Sequence, residues 1–185
     1  MTVPVRERIL TTARALFYSR GINATGIDLI IEQAHIAKAS LYHHFPSKEQ
    51  LVATYLADLR GQFEVALAHE VGKRGYDITI PFDLLEQTMV NGEFFGCPFT
   101  NALTEMPTSA QVIEEVRMYR SRVLDFFTRA LVGDSLLAQD LVLVYDGAFT
   151  SCKLDPDRRT VRRARDLAQR IARRCASPET KPPKA

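Results

Sequence analysis

Long apolar runs are missing from this 185-residue sequence, and so is any cysteine pair spaced to hold a metal. No stretch approaches the ~18 apolar residues of a membrane span, and the opening "MTVPVRERIL" lacks the apolar core of a signal peptide. A cytoplasmic protein with no membrane partner is expected. Cys97, Cys152 and Cys175 are odd in number, widely spaced and without a CxxC, which argues against a disulfide framework or a zinc knuckle and fits reduced thiols. An excess of one charge is lacking too. The net charge is +2, so bulk electrostatics do not prescribe a nucleic-acid partner and local placement has to. Strand-like alternation and internal repeats are also absent. What remains, 46% hydrophobic and 25% charged residues, is an ordinary globular balance, enough for one sizeable domain or a small one fused to a larger.

The period that is present is helical. Ile9, Leu10, Ala13, Leu16 and Phe17 make one apolar stripe, closed by Gly21. Thr25 reads as the cap of a two-turn helix over Gly26–Ala34, with Asp28 completing a capping box. A brief turn leads to a second short helix, Lys38–His44, which Pro46 ends. Ser47 and Gln50 form a Ser-x-x-Gln box before a stripe running from Leu51 to Leu67, with Gly72 and Gly75 beyond it. Further helices are expected over Pro81–Val90, within "GEFFGCPFTNALTEMP", after a Thr108 cap, over Ser135–Lys153, and after an Asp155 cap with Pro156 at the first helical position. "SPETKPPKA" reads as a frayed, disordered tail. The fold class is all-α.

The first three helices, with a tight turn between the second and third, outline a helix-turn-helix reader of DNA. In Lys38–His44, Leu41 and the following Phe45 lie four apart and suit an inward face. Lys38, Ala39, Ser40, Tyr42, His43 and His44 then populate the outer face and its edges. Ala39 permits close approach and apolar contact with a thymine methyl. Ser40, Tyr42 and His44 offer hydroxyl or imidazole contacts to phosphate. Lys48 sits in the first turn of the next helix, where its charge and the free N–H groups suit a phosphate oxygen. A metal site at His43–His44 is disfavoured, because adjacent helical residues point ~100° apart.

The block "LYHHFPSKEQL", with the Ala15–Phe17–Gly21 and Thr25/Ile27/Ile30 spacings, resembles the N-terminal domain of the TetR family of bacterial transcriptional regulators. The resemblance covers about the first 55 residues. It implies a mostly helical homodimer that binds a double-stranded DNA operator and is released by a small-molecule effector. It divides the chain into residues 1–50 (helix-turn-helix domain), 51–175 (effector-binding and dimerisation domain) and the tail 176–185. It assigns DNA contact to Ser40, Tyr42, His44 and Lys48; Thr25 is a further member of the candidate DNA-binding set. His35, Ala37 and Gly26 depart from the family's common Gly, Ser and Ser/Thr, which removes two candidate hydroxyl contacts to phosphate. "GCPFTNALTEMP" and "YDGAFTS" are similar to one branch of the family with GC-x-F-x-NA in the ligand domain.

In the C-terminal part, Phe95, Cys97, Phe99, Tyr119 and Tyr145 fit a cavity lining as well as an ordinary core. Asn101, Thr104 and Glu105 are the few polar groups that could orient a ligand there. Asn101 and Glu105, four apart, share a helical face. Cys97 has no low-pKa partner beside it and reads first as a structural thiol. "LVLVYDGAFTS" is too apolar all round for an outer helix, and Gly147 and Ala148 allow a second helix to approach, so a two-fold four-helix interface with the last helix is expected. The arginines of that last helix read as a solvated face. No catalytic constellation, metal set or cofactor motif assembles, so no enzyme and no cofactor are expected. Three readings stay open: an effector-released repressor, a DNA-binding dimer without effector, and a helical small-molecule binder or enzyme.

Overall fold

The computed structural model describes residues 3–89 and 94–176, the last three by backbone alone. Val90, the Cys175 side chain and the tail after Ala176 lie outside the described residues. Those described form nine α-helices and no strand: α1 (Val5–Arg20), α2 (Ile27–Ala34), α3 (Lys38–His44), α4 (Lys48–Arg74), α5 (Ile80–Thr88), α6 (Pro98–Glu105), α7 (Ala110–Ala130), α8 (Ser135–Leu154) and α9 (Arg158–Ala176). None of them is long and apolar enough to cross a membrane.

Two compact units emerge: Met1–Phe63 with Cys97–Arg120, and Glu64–Gly96 with Ser121–Ala185. In the first, the stripe of α1 is buried through Ile9, Ala13, Leu16 and Phe17, while Ile30, Leu41, Phe45, Leu51, Val52 and Tyr55 join the same core from α2 to α4. Phe17 and Tyr55 meet at 5.7 Å between ring centroids. Arg60 of α4 pairs with Glu115 of α7 at 3.1 Å, both largely shielded. In the second unit, Phe82, Phe127 and Tyr145 cluster, the Phe82 and Tyr145 rings edge to face at 5.5 Å. Arg162 pairs with Glu86, and Arg165 with Asp83, tying α9 to α5.

Three helix starts differ from the sequence reading. The Thr25–Asp28 box does not form. Gly26 precedes α2 without a side-chain cap, and the buried Thr25 hydroxyl donates instead to the carbonyls of Gly21 (2.7 Å) and Leu16 (3.3 Å). At α7 the cap is Ser109, whose Oγ accepts from the Val112 N–H, in place of the exposed Thr108. At α9 it is Asp157, accepting from the Arg159 N–H, in place of Asp155, whose own N–H closes α8. The Ser47 cap of α4 forms as expected, with the Gln50 N–H donating to Oγ at 3.1 Å.

Candidate nucleic-acid interface

The α2–α3 turn is built around His35, which takes the left-handed conformation (φ 51°, ψ 54°). Its N–H donates to Glu32 O and the Ile36 N–H to Ile31 O, a Schellman closure normally made with glycine. Histidine enters this region more readily than most side chains. The chain then re-enters a helix at Ala37, whose carbonyl accepts from Ser40 and Leu41. Leu41 and Phe45 are fully buried and fix the inner face of α3.

That leaves Lys38, Ala39, Tyr42 and His43 exposed, with Ser40, His44 and Lys48 half-buried at the edges. Seven of the eight candidate DNA contacts are therefore at least partly exposed, six along α3 and Lys48 at the start of α4. Thr25 is the correction: it is buried, with its hydroxyl turned inward, and cannot reach a groove. Lys38 pairs with Asp28 at 3.2 Å, but both side chains are well exposed, and such a pair is worth ~0–1 kcal/mol and exchanges readily for a phosphate. Tyr42 is 43% exposed. The His43 and His44 rings meet edge to face at 5.2 Å. Among the described residues no group of His, Cys, Asp or Glu is placed to hold a metal. Burial pushes the Lys48 ammonium below its ordinary pKa, opposed by the nearby Glu105 carboxylate.

Two arginines of α1 escaped the sequence reading. Arg6 is exposed and stands over the Phe45 ring, 5.3 Å from its centre, at the end of α3. Arg8 donates to the carbonyls of Ala34 and His35, the latter at 2.8 Å. Only their positions within an amphipathic helix were visible in the sequence. The partners lie 26 to 39 residues away, across no spacing rule.

Of the candidate ligand residues, Cys97, Phe99, Asn101, Thr104, Glu105 and Tyr119 belong to the first unit, and Phe95 and Tyr145 to the second. Phe99 stacks on Tyr119 with centroids 3.9 Å apart, and Phe63 meets Tyr119 edge-on. Cys97 is buried, Phe95 and Asn101 are half-buried, and Thr104 is exposed with its hydroxyl on Thr100 O. The Glu105 carboxylate accepts from the Asn23 N–H at 2.7 Å, and its carbonyl accepts from the Asn23 amide. Tyr145 packs edge-on against Phe82 and Phe149.

In the second unit a groove of about 600 Å³ runs between α8 and α9, floored by Val144, Gly147 and Ala148 and walled by Ala164 and Leu167. Gly147 is exposed, and a Cβ added there would meet nothing within 4 Å.

A three-helix head whose last helix turns a polar, partly basic face outward, followed among the described residues by helices, defines the helix-turn-helix class of regulators. Residues 9–55, from α1 into α4, match the family model described as "Bacterial regulatory proteins, tetR family". The chain is 45% identical over 53 residues to the HTH-type transcriptional repressor KstR2 of Mycolicibacterium smegmatis, 29% of this chain and 26% of that protein. It is 41% identical over 56 residues to the HTH-type transcriptional regulator LmrA of Bacillus subtilis, 30% of each. It thus matches only about a quarter to a third of the length of these relatives. Along the whole fold it superimposes on a TetR-family transcriptional regulator of Streptomyces coelicolor with a TM-score of 0.81 and 29% identity, covering 94% of this chain and 96% of that one. Escherichia coli NemR in its reduced form shares the fold alone, with a TM-score of 0.75 at 22% identity, covering 91% and 97%. The N-terminal helix-turn-helix domain of this chain is that of the TetR family, and the chain as a whole is similar in fold to a TetR-family transcriptional regulator. The relatives it matches are named as regulators, not as enzymes.

Proposed function

We propose that this protein is a homodimeric repressor that binds a palindromic operator through α3 and is released by a small-molecule effector. The observation that carries the reading is the outer face of α3: Lys38, Ala39, Ser40, Tyr42, His43 and His44 are exposed or half-buried on a helix whose inner face is locked by Leu41 and Phe45, and Lys48 opens the next helix, α4. Lys38, His44 and Lys48 serve phosphates, with Ser40 and Tyr42 adding hydroxyls. Ala39, with the smallest side chain on the face, allows the backbone to approach base edges. The KstR2 relative is named a repressor, which favours repression over activation.

Residues 1–50 form the DNA-binding head and 51–175 carry effector binding and dimerisation. The α8–α9 groove supports the dimer, and the stacked rings of Phe99 and Tyr119 support a mainly apolar effector site. Two heads on one operator need centres ~34–36 Å apart. An effector that favours another spacing by ~1–3 kcal/mol is enough to change occupancy. The test is footprinting and titration on the DNA flanking the protein's own gene, at several salt concentrations, with and without an effector library. Protection of a palindrome that an effector relieves supports the reading. Protection that no effector shifts leaves a DNA-binding dimer, and absence of salt-dependent binding refutes the DNA role.

A further inference from the structure

The turn that delivers α3 is held from outside. His35 closes α2 in the left-handed region, where a side chain with a Cβ is at a disadvantage to glycine. The Schellman bonds satisfy Ile31 O and Glu32 O, but the carbonyls of Ala34 and His35 lie beyond them. One side chain reaches both. The Arg8 guanidinium, on α1, donates through Nη2 to Ala34 O and to His35 O. A cation on the last carbonyls of a helix also lies at the favourable end of its dipole. The direction of the His35 carbonyl fixes the peptide plane that leads into Ile36 and Ala37, and so the angle at which α3 leaves α2.

We propose that Arg8 is a positioning residue for DNA recognition: clamped on the carbonyls of Ala34 and His35, it holds a left-handed turn that lacks glycine and sets the attitude of α3. The inference rests on the reading that α3 docks on DNA. Arg8 touches no base. It acts through the turn, and its loss is felt in discrimination between sequences. Base contacts need the helix in one orientation, whereas phosphate attraction tolerates several.

The test uses the full chain with Arg8→Met, which keeps the stem and removes the donors, Arg8→Lys as a milder variant, and His35→Gly added to each. Operator DNA and scrambled DNA of equal length are titrated at several salt concentrations, and amide hydrogen exchange is followed through Ile36–Leu41 without DNA. We expect Arg8→Met to weaken operator binding at least about tenfold, the size of one lost base contact, and binding to scrambled DNA less than about twofold. The salt slope should not change, because no phosphate contact is lost. Exchange at the turn should quicken, Arg8→Lys should fall between, and His35→Gly should restore both readouts, since glycine holds the turn unaided. Equal weakening on both DNAs with a salt slope smaller by about one would make Arg8 a phosphate contact and overturn the proposal. So would unchanged discrimination, or failure of His35→Gly to rescue. If the wild-type chain itself does not discriminate, the DNA reading falls, and with it the recognition role. The exchange data then still report separately whether Arg8 holds the turn.

Discussion

Lys48 stands half-buried at the first residue of α4, with the Glu105 carboxylate close enough to act on its charge. Burial lowers its pKa, and Glu105 works in the other direction. Only the cation can hold a phosphate, so its contribution to DNA binding is present below the Lys48 pKa and lost as pH rises through it. Lys48→Ala should weaken binding to all sequences alike and reduce the salt slope by about one, read by anisotropy titrations from low to moderate salt. Wild-type salt dependence in that variant would remove Lys48 from the interface. Glu105→Gln keeps an oxygen for the Asn23 N–H but removes the negative charge, so the alkaline loss of affinity should move to lower pH. An unmoved pH profile would show that Glu105 does not act on Lys48. Cys152 makes the opposite case, a reactive group held inert. It is fully buried, and burial first, then Asp157 and Asp155, push its thiol above the ordinary value. The thiolate is the nucleophile, so iodoacetamide at pH 7.5 should label Cys152 only after unfolding, as mass spectrometry of the native and denatured chain will show. Native labelling at the rate of a free thiol would contradict the burial.

At the scale of elements, the α7–α8 connection carries a local conflict. Val132 takes φ 54° after α7, its N–H on Arg129 O, while Gly133 donates to Thr128 O. This is a Schellman closure with a β-branched residue at the left-handed position, one residue before the glycine that could have filled it. The Val132 side chain is 98% exposed, so no packing offsets the strain. Val132→Gly should therefore stabilise the chain by ~1 kcal/mol, a rise of ~2–4 °C in Tm for a chain of this size. A fall in Tm would mean that the flexibility glycine adds to the unfolded chain outweighs the relief. The same turn shows what the sequence could and could not convey. Gly133, itself at φ 93°, was legible as a stop, but the left-handed step that Val132 takes just before it was not. Caps were misplaced wherever two capping residues lie close together. Ser109 rather than Thr108, and Asp157 rather than Asp155, hold the bonds because the backbone path chooses between chemically equivalent neighbours. Thr25 was misread for another reason: its hydroxyl found carbonyls of α1 and the residue after it, a tertiary choice no capping pattern encodes. The limits of α3 and its buried pair Leu41 and Phe45 were fully legible, since four-residue spacing and a terminal proline are local signals. Arg6 and Arg8 were not, because what they touch is set by packing.

For the whole molecule, a net charge of +2 gives little general attraction to DNA, so the proposed function needs affinity from placed contacts and from two heads used at once. That makes the α8–α9 groove decisive. Leu143 is 63% exposed and Leu167 41%, on helices whose other faces are buried, and the floor at Gly147 is open. Gly147→Arg tests it without harming the protomer. Nothing lies within 4 Å of the added Cβ, and arginine inside a helix is favoured over glycine by up to ~1 kcal/mol. In a dimer packed through this groove, the same side chain would occupy the space of the approaching helix and set its charge beside Arg163 and Arg170. We expect light scattering to fall from twice the chain mass to the chain mass at micromolar concentration, with the helical circular dichroism unchanged. Operator affinity should drop with it by ~10²-fold or more, since each head then binds its half-site alone. Lys48→Ala, by contrast, should remain dimeric. A Gly147→Arg chain that stays dimeric would exclude the groove as the interface. A monomer that kept wild-type operator affinity would show instead that this head binds DNA without needing its twin.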